Sequence, residues 1–192
     1  MSTETSAELL DLMRTTVADL RDEFVDDGRA ASPEEINCGL CVDFAEALES
    51  RILGTPLARL PGAVLQFEDF AIDPDGDGEP GDIRIEAISR EPGFEPPPGL
   101  TWEDLNRWRI GETVVHAWLS LGSLHYDAET PQGVANPLDL PCIRSTVVSV
   151  AEREDPDLVE TLSGHGWWSD SRAIAERRRD VLLGQVRAPG QG

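Results

Sequence analysis

Asn37-Cys38-Gly39-Leu40-Cys41-Val42-Asp43-Phe44-Ala45-Glu46-Ala47-Leu48 is the stretch on which the reading of this 192-residue chain turns. Cys41, Phe44, Ala45, Leu48 and Ile52 recur at three- and four-residue steps. They therefore share the inward face of a helix over residues 41–53, which Gly54 ends. Residues 37–40 read as a loop leading into it, after a single helical turn begun by Ser32-Pro33-Glu34-Glu35. Cys41 thus stands at a helix N-terminus, where the dipole favours a thiolate and unpaired backbone N–H groups can receive an oxyanion.

A thiolate nucleophile needs a base, and the base an orienting acid. Both are found far along the chain, in His116-Ala117-Trp118-Leu119-Ser120-Leu121-Gly122-Ser123-Leu124-His125-Tyr126-Asp127. Residues 112–121 read as one strand, Gly122-Ser123 as a turn and residues 124–128 as the returning strand. Two antiparallel neighbours can set an imidazole and a carboxylate side by side. His116 is then the base and Asp127 its orienter, while His125, out of phase with Tyr126, is expected to face solvent.

Together these pieces, Gly39-x-Cys41-x-x-Phe44-Ala45, His116-Ala117-Trp118 and Tyr126-Asp127-Ala128, resemble the transglutaminase-like branch of the papain-like cysteine enzymes, most closely its small phage and prokaryotic members. Gly133-Val134 and Leu140-Pro141 extend the resemblance, which covers residues 37–53 and 114–141. It implies a nucleophile-bearing helix packed on an antiparallel sheet. It also implies Cys41 as nucleophile, His116 as base, Asp127 as orienter, and an amide or peptide substrate. The glutamine that often precedes the nucleophile in papain-like enzymes is missing. Asn37 is the candidate substitute at the oxyanion, and Trp118 is either core or a substrate platform. Residues 56–111 carry no signature of the family and read as an elaboration.

The remaining pattern gives α+β, with extra N- and C-terminal helices, in one domain over residues 1–185 and a Pro/Gly tail over 186–192. Leu9, Met13, Val17, Leu20 and Phe24 predict a helix over 3–27. A hairpin is expected from 63–72 and 82–89, a proline connector over 91–99 and a helix over 101–109 capped by Thr101. The Val-rich 143–151 reads as a strand and 170–183 as a helix.

Other constellations compete. Cys38 and Cys41 form a C-x-x-C, a possible redox pair or half of a zinc site, but Cys142, His116 and His125 would have to complete the ligand set from distant points. Asp73, Asp75 and Asp77 begin like a calcium loop, yet Arg84 stands at the twelfth position, where a bidentate Glu belongs. An acidic hairpin loop is the plainer reading. Arg177, Arg178 and Arg179 read as a solvated helix face. No metal or organic cofactor is needed by the Cys41–His116–Asp127 chemistry. A catalytically inert binding module on the same fold is the alternative to an enzyme.

Composition sets the surroundings. The chain holds 37 acidic and 16 basic residues, for a net charge of −21, and every basic residue is Arg. Carboxylates keep a protein soluble while concentrated salt screens their repulsion, so a salt-in halophile cytoplasm is the expected setting. A surface this acidic argues against nucleic acid and against anionic membranes. There is no run of some 18 apolar residues for a membrane span, and residues 1–8 do not read as a signal peptide. Without lysine, no Schiff base or lysine base is available, which leaves Cys41, His116 and Asp127 as the catalytic candidates.

Overall fold

His116–Leu121 forms the central strand, β2, and apolar material covers both of its faces. It lies between β1 (Gly62–Phe67) and β3 (Leu124–Tyr126) in an antiparallel sheet of order β1-β2-β3. The register sets Phe67 against His116 and Gln66 against Ala117 on one side, and Leu119 against Tyr126 on the other. The computed structural model describes residues 3–67 and 93–184.

Strand alternation divides the core in two. Ala117, Leu119 and Leu121 join the cluster built by α1 (Thr3–Asp26) and α3 (Cys41–Ile52). The α1 stripe Met13, Val17, Leu20 and Phe24 is buried as its periodicity predicts, and Phe24 meets Phe44 of α3 edge-to-face at 5.3 Å. Trp118 instead joins the opposite cluster, built largely by α6 (Pro141–Glu154), α7 (Pro156–Leu162) and α8 (Gly166–Leu182). The described architecture is α+β: mostly helical, with one small antiparallel sheet.

Between α1 and α3, Ser32 caps α2 (Pro33–Gly39): its Oγ accepts from the Glu35 N–H, and the Glu35 carboxylate accepts from the Ala31 N–H at 2.8 Å. Leu40 ends α2 and begins α3, and its side chain offers no acceptor to the first turn. Ahead of β2 come α4 (Trp102–Arg107), where Thr101 and Asp104 cap each other reciprocally, and the single turn α5 (Ile110–Thr113).

Four expectations need correction. Residues 143–151 are helical, within α6, not a strand. β-branched residues favour strands only weakly against packing, and Ile143, Val147, Val150 and Ala151 also repeat at helical steps behind Pro141 at the first position. Residues 110–113 form a helical turn, so β2 starts at His116 rather than 112. Asn37 belongs to α2, not to a loop. The last helix starts at Gly166, ahead of the expected 170. Of the expected 63–72/82–89 hairpin, only 62–67 is described, and it pairs with β2; the rest of the hairpin, with Asp73, Asp75 and Asp77, and the 186–192 tail lie outside the described residues.

After β3 the chain loops back, and Val134 exchanges backbone hydrogen bonds with His125. Gly133 makes that return possible. Its φ is +72°, and a Cβ there would come within 2.7 Å of the Tyr126 ring. Gly133→Ala is expected to lose about 1–3 kcal/mol, from left-handed backbone strain and the ring clash together. Denaturant unfolding in molar KCl checks this; an unchanged midpoint would contradict the described loop.

Candidate active site

Cys41 is the first residue of α3, with its thiol buried against β2. Because Leu40 supplies no side-chain cap, the first-turn N–H groups keep their capacity to donate. Those of Val42 and, from β2, Ala117 act on the sulfur. Burial by itself raises the Cys41 pKa. The neighbouring His116, then these two N–H groups, outweigh burial and bring the thiol below its ordinary range.

His116 is wholly buried, as is Asp127, and Nε2 of His116 lies 3.0 Å from Asp127 Oδ2. The other Asp127 oxygen accepts from the Glu129 N–H at 3.0 Å. With Nε2–H committed to the carboxylate, Nδ1 is the ring atom left to take a proton, and no conventional hydrogen bond occupies it. Burial lowers the His116 pKa, but Asp127 and Cys41 overcome this and raise it to about 9. The two shifts are complementary: each partner stabilises the charged form of the other, which favours a thiolate–imidazolium pair. Cys41, His116 and Ala117 border a cavity of about 30 Å³, room for roughly one water. The three residues read from sequence as catalytic are therefore brought together.

The other candidates fare differently. The Asn37 carboxamide does not point to an oxyanion. Its Oδ1 accepts from the Ala128 N–H at 3.3 Å, and its Nδ2 donates to Glu129 at 2.9 Å. Trp118 has no exposed face on which a substrate could rest. Its ring stacks near His116, with centroids 6.1 Å apart, and its Nε1–H donates to His125 Nδ1 at 3.0 Å. His125 is accordingly buried rather than solvent-facing, and burial lowers its pKa to about 4. Cys38 is exposed and Cys41 buried, both as free thiols. Among the described residues no group of three or more His, Cys, Asp or Glu comes together that could hold a metal ion.

Sequence reading missed the support behind Asp127. Arg178 is buried and ion-paired with Glu129, whose side chain is only 4% exposed and which Asn37 also holds. The Arg177–Arg179 cluster is thus not a uniformly solvated face. The signal was present: Arg178 follows Trp168, Ser171 and Ala175 at helical spacing, and all four are buried. Nothing local in the sequence marks Glu129 as its partner. Comparison of the chain with family models, with curated proteins and with solved structures gives no match.

Two outcomes test this geometry. Arg178→Met leaves the Glu129 carboxylate buried and uncompensated, so it is expected to cost about 3–5 kcal/mol, and adding Glu129→Gln is expected to restore much of it. Unfolding of the single and double variants in KCl measures the difference; additive losses would deny the pair.

His125 gives a pH signature. Folded, it resists protonation; unfolded, it accepts a proton near its usual 6.5. Its contribution is therefore fully present above pH 6.5 and is lost as pH falls toward about 4, by up to about 3 kcal/mol. His125→Gln keeps an acceptor for Trp118 but removes this titration. The acid loss in that window is expected to be smaller in the variant than in the parent.

Proposed function

We propose that this protein is a cysteine-dependent amide-bond enzyme, a peptidase, amidase or transamidase, on a papain/transglutaminase-like fold. The observation that carries the reading is the buried His116–Asp127 pair beside a thiol at the start of α3. The resemblance of the Cys41, His116 and Tyr126-Asp127-Ala128 segments supports the same reading.

In the proposed reaction, the Cys41 thiolate adds to an amide carbonyl and forms the S–C bond. The N–H groups of Val42 and Ala117, which act on the sulfur, are the donors proposed for the oxyanion. Collapse breaks the C–N bond, and the proton on His116 passes to the departing amine. Water or a second amine then attacks the thioester and gives its proton to His116. The acyl group leaves with that nucleophile, and Cys41 and His116 return to their starting state. Asp127 keeps His116 in the required tautomer throughout. No metal or cofactor enters these steps. The acid-rich, lysine-free composition supports a high-salt cytoplasm as the setting, so assays belong in molar KCl.

A second reading, an inert binding module on this fold, draws on the smallness of the cavity at Cys41, which admits little more than a water. Alkylation by iodoacetamide separates the two. For an enzyme, Cys41 is expected to react well below the ordinary thiol pH range, with a further rise as His116 deprotonates near 9. His116→Ala is expected to move the reaction into the ordinary range and slow it about tenfold or more at neutral pH. Cys41 titrating as an ordinary thiol, indifferent to His116→Ala, would sink the catalytic reading.

A further inference from the structure

Beside the small cavity at Cys41 lies a larger groove of about 460 Å³, walled by parts of α2, α6 and α8 and by the approach to β2. Val115 borders both; it immediately precedes His116 and is 70% exposed. The groove contrasts in charge with the acid-rich composition of the chain. Among the described residues no Asp or Glu lines it, although 37 of the 192 residues of the chain are acidic. Its charged groups are Arg178 and Arg179.

These two arginines differ. Arg178 is committed to Glu129, whereas Arg179 is exposed and has no carboxylate of the described residues within ion-pair distance. Arg179 also borders a smaller depression where Glu152 and Glu176 lie, but there Arg172 pairs with Glu152. The groove has an apolar lip as well: Leu182 and Leu183, exposed at 40% and 64%, together with Val115.

We infer that this groove binds a carboxylate-bearing peptide segment of the substrate, with the carboxylate on Arg179 and neighbouring apolar side chains against Val115, Leu182 and Leu183. This rests on the amide-bond reading above, because Val115 is the ridge across which a segment in the groove would reach Cys41. In molar salt the Debye length shrinks to about 3 Å, so long-range attraction is lost and direct contact decides. A guanidinium suits that regime, since it holds a carboxylate through two parallel hydrogen bonds. At contact range the acid-rich remainder of the surface offers such a ligand mostly carboxylates, which cannot pair with it, and this makes the groove selective by contrast.

The test uses C-terminally amidated Leu-Asp-Leu-Glu and its twin Leu-Asn-Leu-Gln, also amidated and so without a carboxylate, each carrying a neutral BODIPY dye at its N-terminus. Each is titrated by fluorescence anisotropy, in molar KCl, against the Cys41→Ala protein. The acidic peptide is expected to bind about tenfold tighter. Arg179→Gln is expected to erase that preference, and Leu183→Glu, which adds a like charge at the exposed lip, to weaken the acidic peptide selectively. Circular dichroism verifies the fold of both variants. Equal binding of the two peptides, or a preference that survives Arg179→Gln, overturns the inference. So does a peptide that binds the unmutated protein without changing the iodoacetamide rate of Cys41. Cys41→Ala has no nucleophile and reads the groove alone, while iodoacetamide, small and neutral, reads the nucleophile alone. A reactive Cys41 with no acidic preference therefore refutes the groove and leaves the enzyme standing.

Discussion

Burying an imidazole and a carboxylate 3.0 Å apart is the constraint around which the rest of this molecule is arranged. Ionised groups taken out of water are costly unless their hydrogen-bonding capacity is met. Asp127 meets it with His116 on one oxygen and the Glu129 N–H on the other. The loop that carries Asp127 is fastened in turn by Asn37 from α2 and by the Glu129–Arg178 pair, so three distant parts of the chain converge behind one carboxylate. Besides Nδ1 of His116, three buried polar atoms here have no hydrogen-bond partner among the described residues: Thr130 Oγ1, Glu129 Oε1 and Arg178 Nη1, the last of which is ion-paired with Glu129. The same burial that makes the pair expensive gives it force. In a buried site, Asp127 raises His116 and His116 lowers Cys41 more strongly than either could at the surface.

Legibility in the sequence followed the range of the interactions. α1 and α3 could be read from their stripes because a helix buries one face and the period records which. The strand carrying His116 and its return to Asp127 could be read from a Gly-Ser turn between apolar alternations. α6 was misread because Val147, Val148 and Val150 carry strand propensity, while the packing that holds them helical comes from α8, far along the chain. For the candidate site, Cys41, His116 and Asp127 were legible as residue types at spacings. Their supporters were not: Asn37 offers the same amide to an oxyanion as to a backbone, and only the position of residues 128 and 129 decides which. His125 failed for a related reason. Alternation puts it on the face opposite Tyr126, but whether that face meets solvent depends on Phe94 and Trp118.

The two buried histidines show how one pair of strands can set opposite charge states. His116 on β2 and His125 on β3 both lose water, which by itself pushes each toward neutrality. Trp118 touches both rings. What separates them is the partner. His116 faces a carboxylate and a thiol and is held protonated up to about 9, while His125 receives an indole N–H, which satisfies only the neutral ring, and stays unprotonated down to about 4. Between those values the neutral His125 anchors Trp118 and Trp118 flanks His116, so the two histidines hold opposite charge states side by side. Acid below the window charges His125 and removes the acceptor that fixes Trp118. Base above it discharges His116 and leaves Cys41 without its counter-ion. The lower edge of that window comes from the burial of His125, and the upper edge from Asp127 and Cys41 overcoming the burial of His116, so two chemically identical side chains on neighbouring strands are set apart by whether an anionic partner is present.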